Sequence, residues 1–156
     1  MIATNERLTM LLERNNRRRN SDQLRDRLKN FGVLAKLGDE DDLQRMQSTV
    51  TDDPLERVYP TDWPSVLEKL RVHLGRDHNP IMLAPYNKDQ FGVVYVNPTA
   101  LFDALNHNPL ALDLDGFWIA GSFGTACVDF DEADLAADIW WTLYPPIQEE
   151  TKNAQN

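Results

Sequence analysis

The chain has 156 residues, 42% hydrophobic and 26% charged, with a formal net charge of −9. That is the size and composition of a single globular domain with a real core. A lone cysteine, Cys127, excludes an internal disulfide framework, and no apolar run nears the roughly 20 residues of a membrane-spanning helix.

Residues 1–7 show no basic segment followed by an apolar run, so no signal peptide is expected and the cytoplasm is the expected location. The charge is unevenly spread. Residues 1–30 hold eight Lys/Arg against four acids, a net +4. The rest of the chain holds eight bases against 21 acids, a net −13. A basic amino-terminal arm thus precedes an acidic body, a clue to partners rather than to fold.

Thr4 or Asn5 is placed to cap a first helix carrying Leu8, Leu11 and Leu12. The polar stretch Asn15 to Asn20 is expected to break it. Ser21 then caps a second helix, with Leu24, Leu28, Phe31 and Leu34 or Leu37 at helical spacing and Gly38 at its end. A short acidic helix is expected from Glu40 to Met46. Residues 48–60, with two prolines and little periodicity, read as a linker. They separate a basic helical arm (1–47) from an acidic α+β core (61–147), and a polar tail follows (148–156).

Asp62 caps the next helix, with Pro64 in its first turn and Val66 or Leu67, Leu70 and Leu74 as its apolar stripe. Residues 81–84 and 91–96 read as a pair of strands. Asn97-Pro98 starts a helix that buries Leu101, Phe102 and Leu105. A second hairpin follows, 116–120 with 125–130, turning at 121–124. Asp131 is expected to cap a last helix running to Leu143, stopped by Pro145-Pro146. The expected fold is α+β: an amino-terminal helical segment, then α-β-β-α-β-β-α, with an antiparallel sheet of about four strands and helices on one face.

The second hairpin carries the most pointed expectation. Pairing Gly121 with Gly124 sets Phe117 opposite Val128 and Ile119 opposite Ala126. Phe117, Ile119, Ala126, Val128 and Phe130 then share a core face, leaving Trp118, Cys127 and Asp129 on the other. Asp113 and Asp115 come alongside Asp129, Asp131 and Glu132. Such like charges need a compensating partner. In the last helix Asp134, Asp138 and Trp141 share a face, and a tryptophan beside aspartates is a fit anchor for a cationic partner. The competing reading packs Trp141 under the amino-terminal helices and leaves the aspartates solvated.

Other chemistries find little support. The Asp113-Leu114-Asp115-Gly116 fragment lacks the glutamate of a calcium loop, since Gly124 stands at the twelfth position. His73, His78 and His107 have no zinc spacing. Gly121-Ser122-Phe123-Gly124 lacks the glycine pattern of a nucleophile elbow, and acids near Cys127 disfavour a thiolate. No catalytic residue, metal or cofactor is assigned.

The leading expectation is a non-catalytic acidic protein that occupies a basic surface of another protein, a toxin or a nucleic-acid-processing enzyme. Immunity proteins and phage-borne DNA mimics act in this manner. Its partner-binding residues would be Asp113, Asp115, Trp118, Asp129, Asp131, Glu132, Asp134, Asp138 and Trp141. A nucleic-acid-associated regulator would instead use Arg14, Arg17, Arg18, Arg19, Arg25 and Arg27. A metal-dependent hydrolase would use the aspartate corner. A secretion-type chaperone, also small and acidic with a comparable element order, would need a homodimer.

Overall fold

The computed structural model describes residues 2–74, 79–85, 92–107, 116–122, 124–129 and 139–146. Its elements are α1 (Ile2–Asn30), β1 (Ala35–Leu37), α2 (Glu40–Ser48), β2 (Glu56–Thr61), α3 (Trp63–Leu74), β3 (Ile81–Pro85), β4 (Val94–Val96), α4 (Pro98–His107), β5 (Gly116–Gly121), β6 (Gly124–Asp129) and β7 (Ile139–Tyr144). The fold is α+β, and its sheet is antiparallel throughout. Among the described residues the sheet has seven strands, not about four, in the order β1-β4-β3-β5-β6-β7-β2.

The β5–β6 hairpin has the expected register: Gly121 faces Gly124, Phe117 faces Val128 and Ile119 faces Ala126. Glycine is required at 116 by close packing. A Cβ there would lie 2.4 Å from the Val128 carbonyl oxygen.

The two-residue period sorts the sheet into two buried faces. Phe117, Ile119, Ala126 and Val128 join Ile81, Leu83, Val94, Val96, Ile139, Trp141 and Leu143 on the first. Leu24 and Leu28 of α1, the stripe of α3, and Leu101, Phe102 and Leu105 of α4 pack on it. The second face buries Met82, Ala84, Trp118, Ala120 and Cys127 beneath Leu43 and Met46 of α2. Helices therefore cover both faces, where one was expected.

Caps were well signalled. The Asp62 carboxylate accepts from the Ser65 amide (2.9 Å) and the Asn97 side chain from the Ala100 amide (3.1 Å). Asp39 and Asp42 form a reciprocal capping box at the start of α2.

Four expectations are corrected. The expected break at Asn15–Asn20 does not occur, and α1 runs unbroken over 29 residues. Asparagine and arginine cost a helix well under about 1 kcal/mol each, and the stretch lacks glycine and proline. The helix ends at Asn30, where Gly32 adopts φ +80, and not at Gly38. Phe31 and Leu34 are consequently exposed, and 35–37 form an edge strand.

The expected linker ends in β2, which pairs with β7 along the other edge of the sheet. An edge strand tolerates Pro60, whose missing amide breaks no central ladder. The expected last helix is replaced over 139–144 by β7, a strand between β6 and β2. Its proposed start at Asp131, and Phe130, lie outside the described residues.

Thr125 is fully buried on β6, and its hydroxyl has no hydrogen-bond partner among the described residues. A buried unpaired hydroxyl costs about 1–3 kcal/mol. Thr125→Val, which keeps the shape, is expected to raise the urea midpoint by the equivalent of about 1 kcal/mol. An unchanged or lower midpoint would refute this.

Candidate functional site

Six of the nine residues expected to bind a partner, Asp113, Asp115, Asp131, Glu132, Asp134 and Asp138, lie outside the described residues. The other three are placed. Asp129 is half-buried at the end of β6, opposite Gly116 and Trp140. Trp118 is buried on the second face and stacks on Tyr144, with ring centroids 6.1 Å apart. Trp141 is fully buried in the main core.

Neither tryptophan is a surface anchor, which corrects the sequence expectation. The cation expected at Trp141 comes from the protein itself: Lys69 of α3 lies 5.9 Å from its ring centroid. The indole N–H donates to Glu56 of β2, and Lys69 Nζ bridges to the same carboxylate at 3.3 Å. Burial by itself would raise the Glu56 carboxyl. The hydrogen bonds from Trp141 and Lys69, with the charges of Lys69 and His73, outweigh it and hold the pKa below its ordinary 4.5.

The arginines of α1 divide into two groups. Arg17 donates through Nε and Nη2 to Glu40 Oε1, at 3.1 and 2.9 Å, tying α1 to α2. Arg25 pairs with Asp22 and Asp26 on its own helix, and Arg27 is half-buried. Arg14, Arg18 and Arg19 are exposed and form no ion pair among the described residues. Arg14, Arg17 and Arg18 line a cleft of about 300 Å³ with Ser21, Gly38 and Glu40.

The densest described acidity lies on a different element from the one expected. Residues 39–53 carry six carboxylates, Asp39, Glu40, Asp41, Asp42, Asp52 and Asp53, against the single base Arg45. Glu40, Asp41 and Asp42 fill the first turn of α2, where the helix dipole favours negative charge. Leu43 and Met46 clamp α2 to the sheet, and Asp39, Asp41, Asp52 and Asp53 are exposed.

Asp42 is held from within. Burial would raise its pKa, but the Tyr95 hydroxyl, the Asp39 amide and Arg45 lower it below 3.8. Burial and the Asp42 carboxylate in turn push the Tyr95 hydroxyl up to about 12. Asp42 therefore stays ionised and Tyr95 protonated at neutral pH. The signal for this patch was the Asp-Glu-Asp-Asp run, read in the sequence only as a short acidic helix.

Among the described residues, no group of three or more His, Cys, Asp or Glu is positioned to hold a metal ion, and no helix is long and apolar enough to cross a membrane. No protein-family model, curated protein or solved structure matches this chain.

Proposed function

We propose that the protein is a non-catalytic binding module whose acidic surface occupies a basic site on another protein, a toxin or a nucleic-acid-processing enzyme. The observation that supports this is the set of exposed carboxylates at Asp39 and Asp41, at the start of a helix clamped to the sheet, and at Asp52 and Asp53 in the segment that follows it. A rigid acidic face steers encounter with a basic partner and fixes its orientation, with little reorganisation on binding. The −13 of the chain beyond residue 30 works in the same sense.

The test is capture of host proteins on the full-length chain, followed by kinetics with each captured protein. Asp41→Lys, Asp52→Lys and Asp53→Lys together are expected to slow association by about tenfold or more, and added salt is expected to do the same to the wild type. If every captured protein bound the triple variant as fast as the wild type, the proposal would fail.

A second reading, nucleic-acid binding through the arm, is favoured by Arg14, Arg18 and Arg19, which are exposed and form no ion pair among the described residues. It predicts a salt-sensitive shift of DNA or RNA that is lost when these three become glutamate. Absence of any shift at low salt eliminates it.

A further inference from the structure

Only the second half of α1 is built into the body. Ser21, Leu24 and Leu28 are buried, whereas every residue from 5 to 16 is exposed. Leu8, Leu11 and Leu12 stand at i, i+3 and i+4, so they form one stripe. They are 56%, 45% and 55% exposed. Three neighbouring leucines left in water on a helix face are the mark of an interaction surface.

The stripe cannot fold back onto its own body. α1 is one continuous helix without glycine or proline, and its root is fixed by Leu24, Leu28 and the Arg17–Glu40 pair. On the body, a groove of about 760 Å³ runs along the β1 edge. Leu34, Leu37, Pro80 and Tyr95 line it, with Lys36, Asp39 and Asp42 as its charged walls. Leu34 is 77% exposed there.

We propose that the α1 arm of a second copy of this chain occupies the groove, in a reciprocal two-fold exchange. Charge selects this occupant. Residues 2–20 carry five arginines and two acids, while the body is at −13. Arg7 and Arg14 lie beside the leucine stripe, and in the exchange they would approach Asp39, the exposed carboxylate of the groove, since Asp42 is already held by Tyr95 and Arg45. Geometry allows both exchanges at once. Leu8 lies nine residues before Arg17, about 14 Å along the axis. Two arms laid antiparallel thus bring the tip of each beside the root of the other. Arg17 lines a cleft there together with Gly38 and Asp39, which also border the groove. The same contact made twice closes the assembly as a dimer. A stable dimer needs about 800 Å² from each partner, which an exposed helical arm and a groove, each used twice, supply in order of magnitude. The exchange engages Asp39, which the acidic face proposed above also includes, but leaves Asp41, Asp52 and Asp53 exposed, so the lysine variants at those three positions test that face separately.

The test is light scattering on the full-length chain at micromolar concentration and low salt. The expected mass is twice 17.9 kDa. Leu8→Glu, Leu11→Glu and Leu12→Glu together, or Leu34→Glu in the groove, are expected to halve it with the circular dichroism spectrum unchanged. Mixing Leu8→Cys with Leu34→Cys is expected to give a disulfide between copies, since Cys127 is buried. A monomeric wild type overturns the proposal, including one that co-floats with anionic vesicles and so assigns the stripe to lipid. A dimer that survives Leu34→Glu and cross-links Leu8→Cys to itself places arm against arm, and overturns the groove.

Discussion

Trp141→Ala is expected to cost about 3–5 kcal/mol, the range for emptying a buried aromatic site. Domains of this size are stable by only about 5–15 kcal/mol. One substitution on β7 would then remove a large share of the total and lower Tm by roughly 8–15 °C. The loss has two sources. A fully buried indole leaves a cavity between the sheet and α3. Glu56 also loses the N–H that offsets its burial. Trp141→Phe keeps most of the volume and removes the donor, so it is expected to fall between alanine and the wild type.

The same network makes a prediction about acid. The folded-state pKa of Glu56 lies below its ordinary value, so folding favours the carboxylate. The stabilisation is complete above pH 4.5 and is lost as pH falls through the folded-state pKa. Glu56→Gln is expected to flatten the acid limb of the stability curve below that pH, and Trp141→Phe to weaken it. Urea titrations between neutral and acid pH would show this. Parallel acid limbs for wild type and Glu56→Gln would refute it, and a Trp141→Ala shift of only a degree or two would refute the cavity argument.

Leu28→Ala is expected to cost about 2–5 kcal/mol, while Met10→Ala on the same helix stays within about 0.5 kcal/mol. Both remove an apolar side chain from α1. Leu28 is fully buried against the sheet, and Met10 is 59% exposed. Helical propensity does not separate them, because alanine is the best helix former at either site. Equal losses at the two positions would mean that the first half of α1 packs on the body after all. Denaturant midpoints at constant slope would decide between the outcomes.

The charge layout joins the two halves of the molecule. Arg17 spends part of the arm's basicity on Glu40, which is worth little in itself at a half-exposed site. It does fix the direction in which the arm leaves the body. Arg14 and Arg18 border the cleft beside Gly38 and Asp39, the leucine stripe stays exposed farther along the arm, and α2 packs on the second face of the sheet.

The sequence by itself determined the local grammar of the fold. The Asp62 and Asn97 caps, the stripes of α3 and α4 and the β5–β6 register all follow from interactions within a few residues or across one tight turn. The same locality explains why the Asp-Glu-Asp-Asp run was legible as an acidic helix. Tertiary structure decided the rest. Ile139 and Leu143 are four residues apart, a spacing that suits one face of a helix and one face of a strand alike. Trp141 between them breaks the tie. A helix would turn it away from that face, and a strand places it on the same face, where Glu56 and Lys69 wait on distant segments. Residues 48–60 contain a strand only because β7 offers an edge to pair with. The arm became continuous because nothing within it forbids a helix, and its exposure follows from the position of its root. The acidic character survives from the sequence. Among the described residues its densest face is α2, and the tryptophans expected to accompany it went into the core because buried aromatic area outweighs any use of them in water.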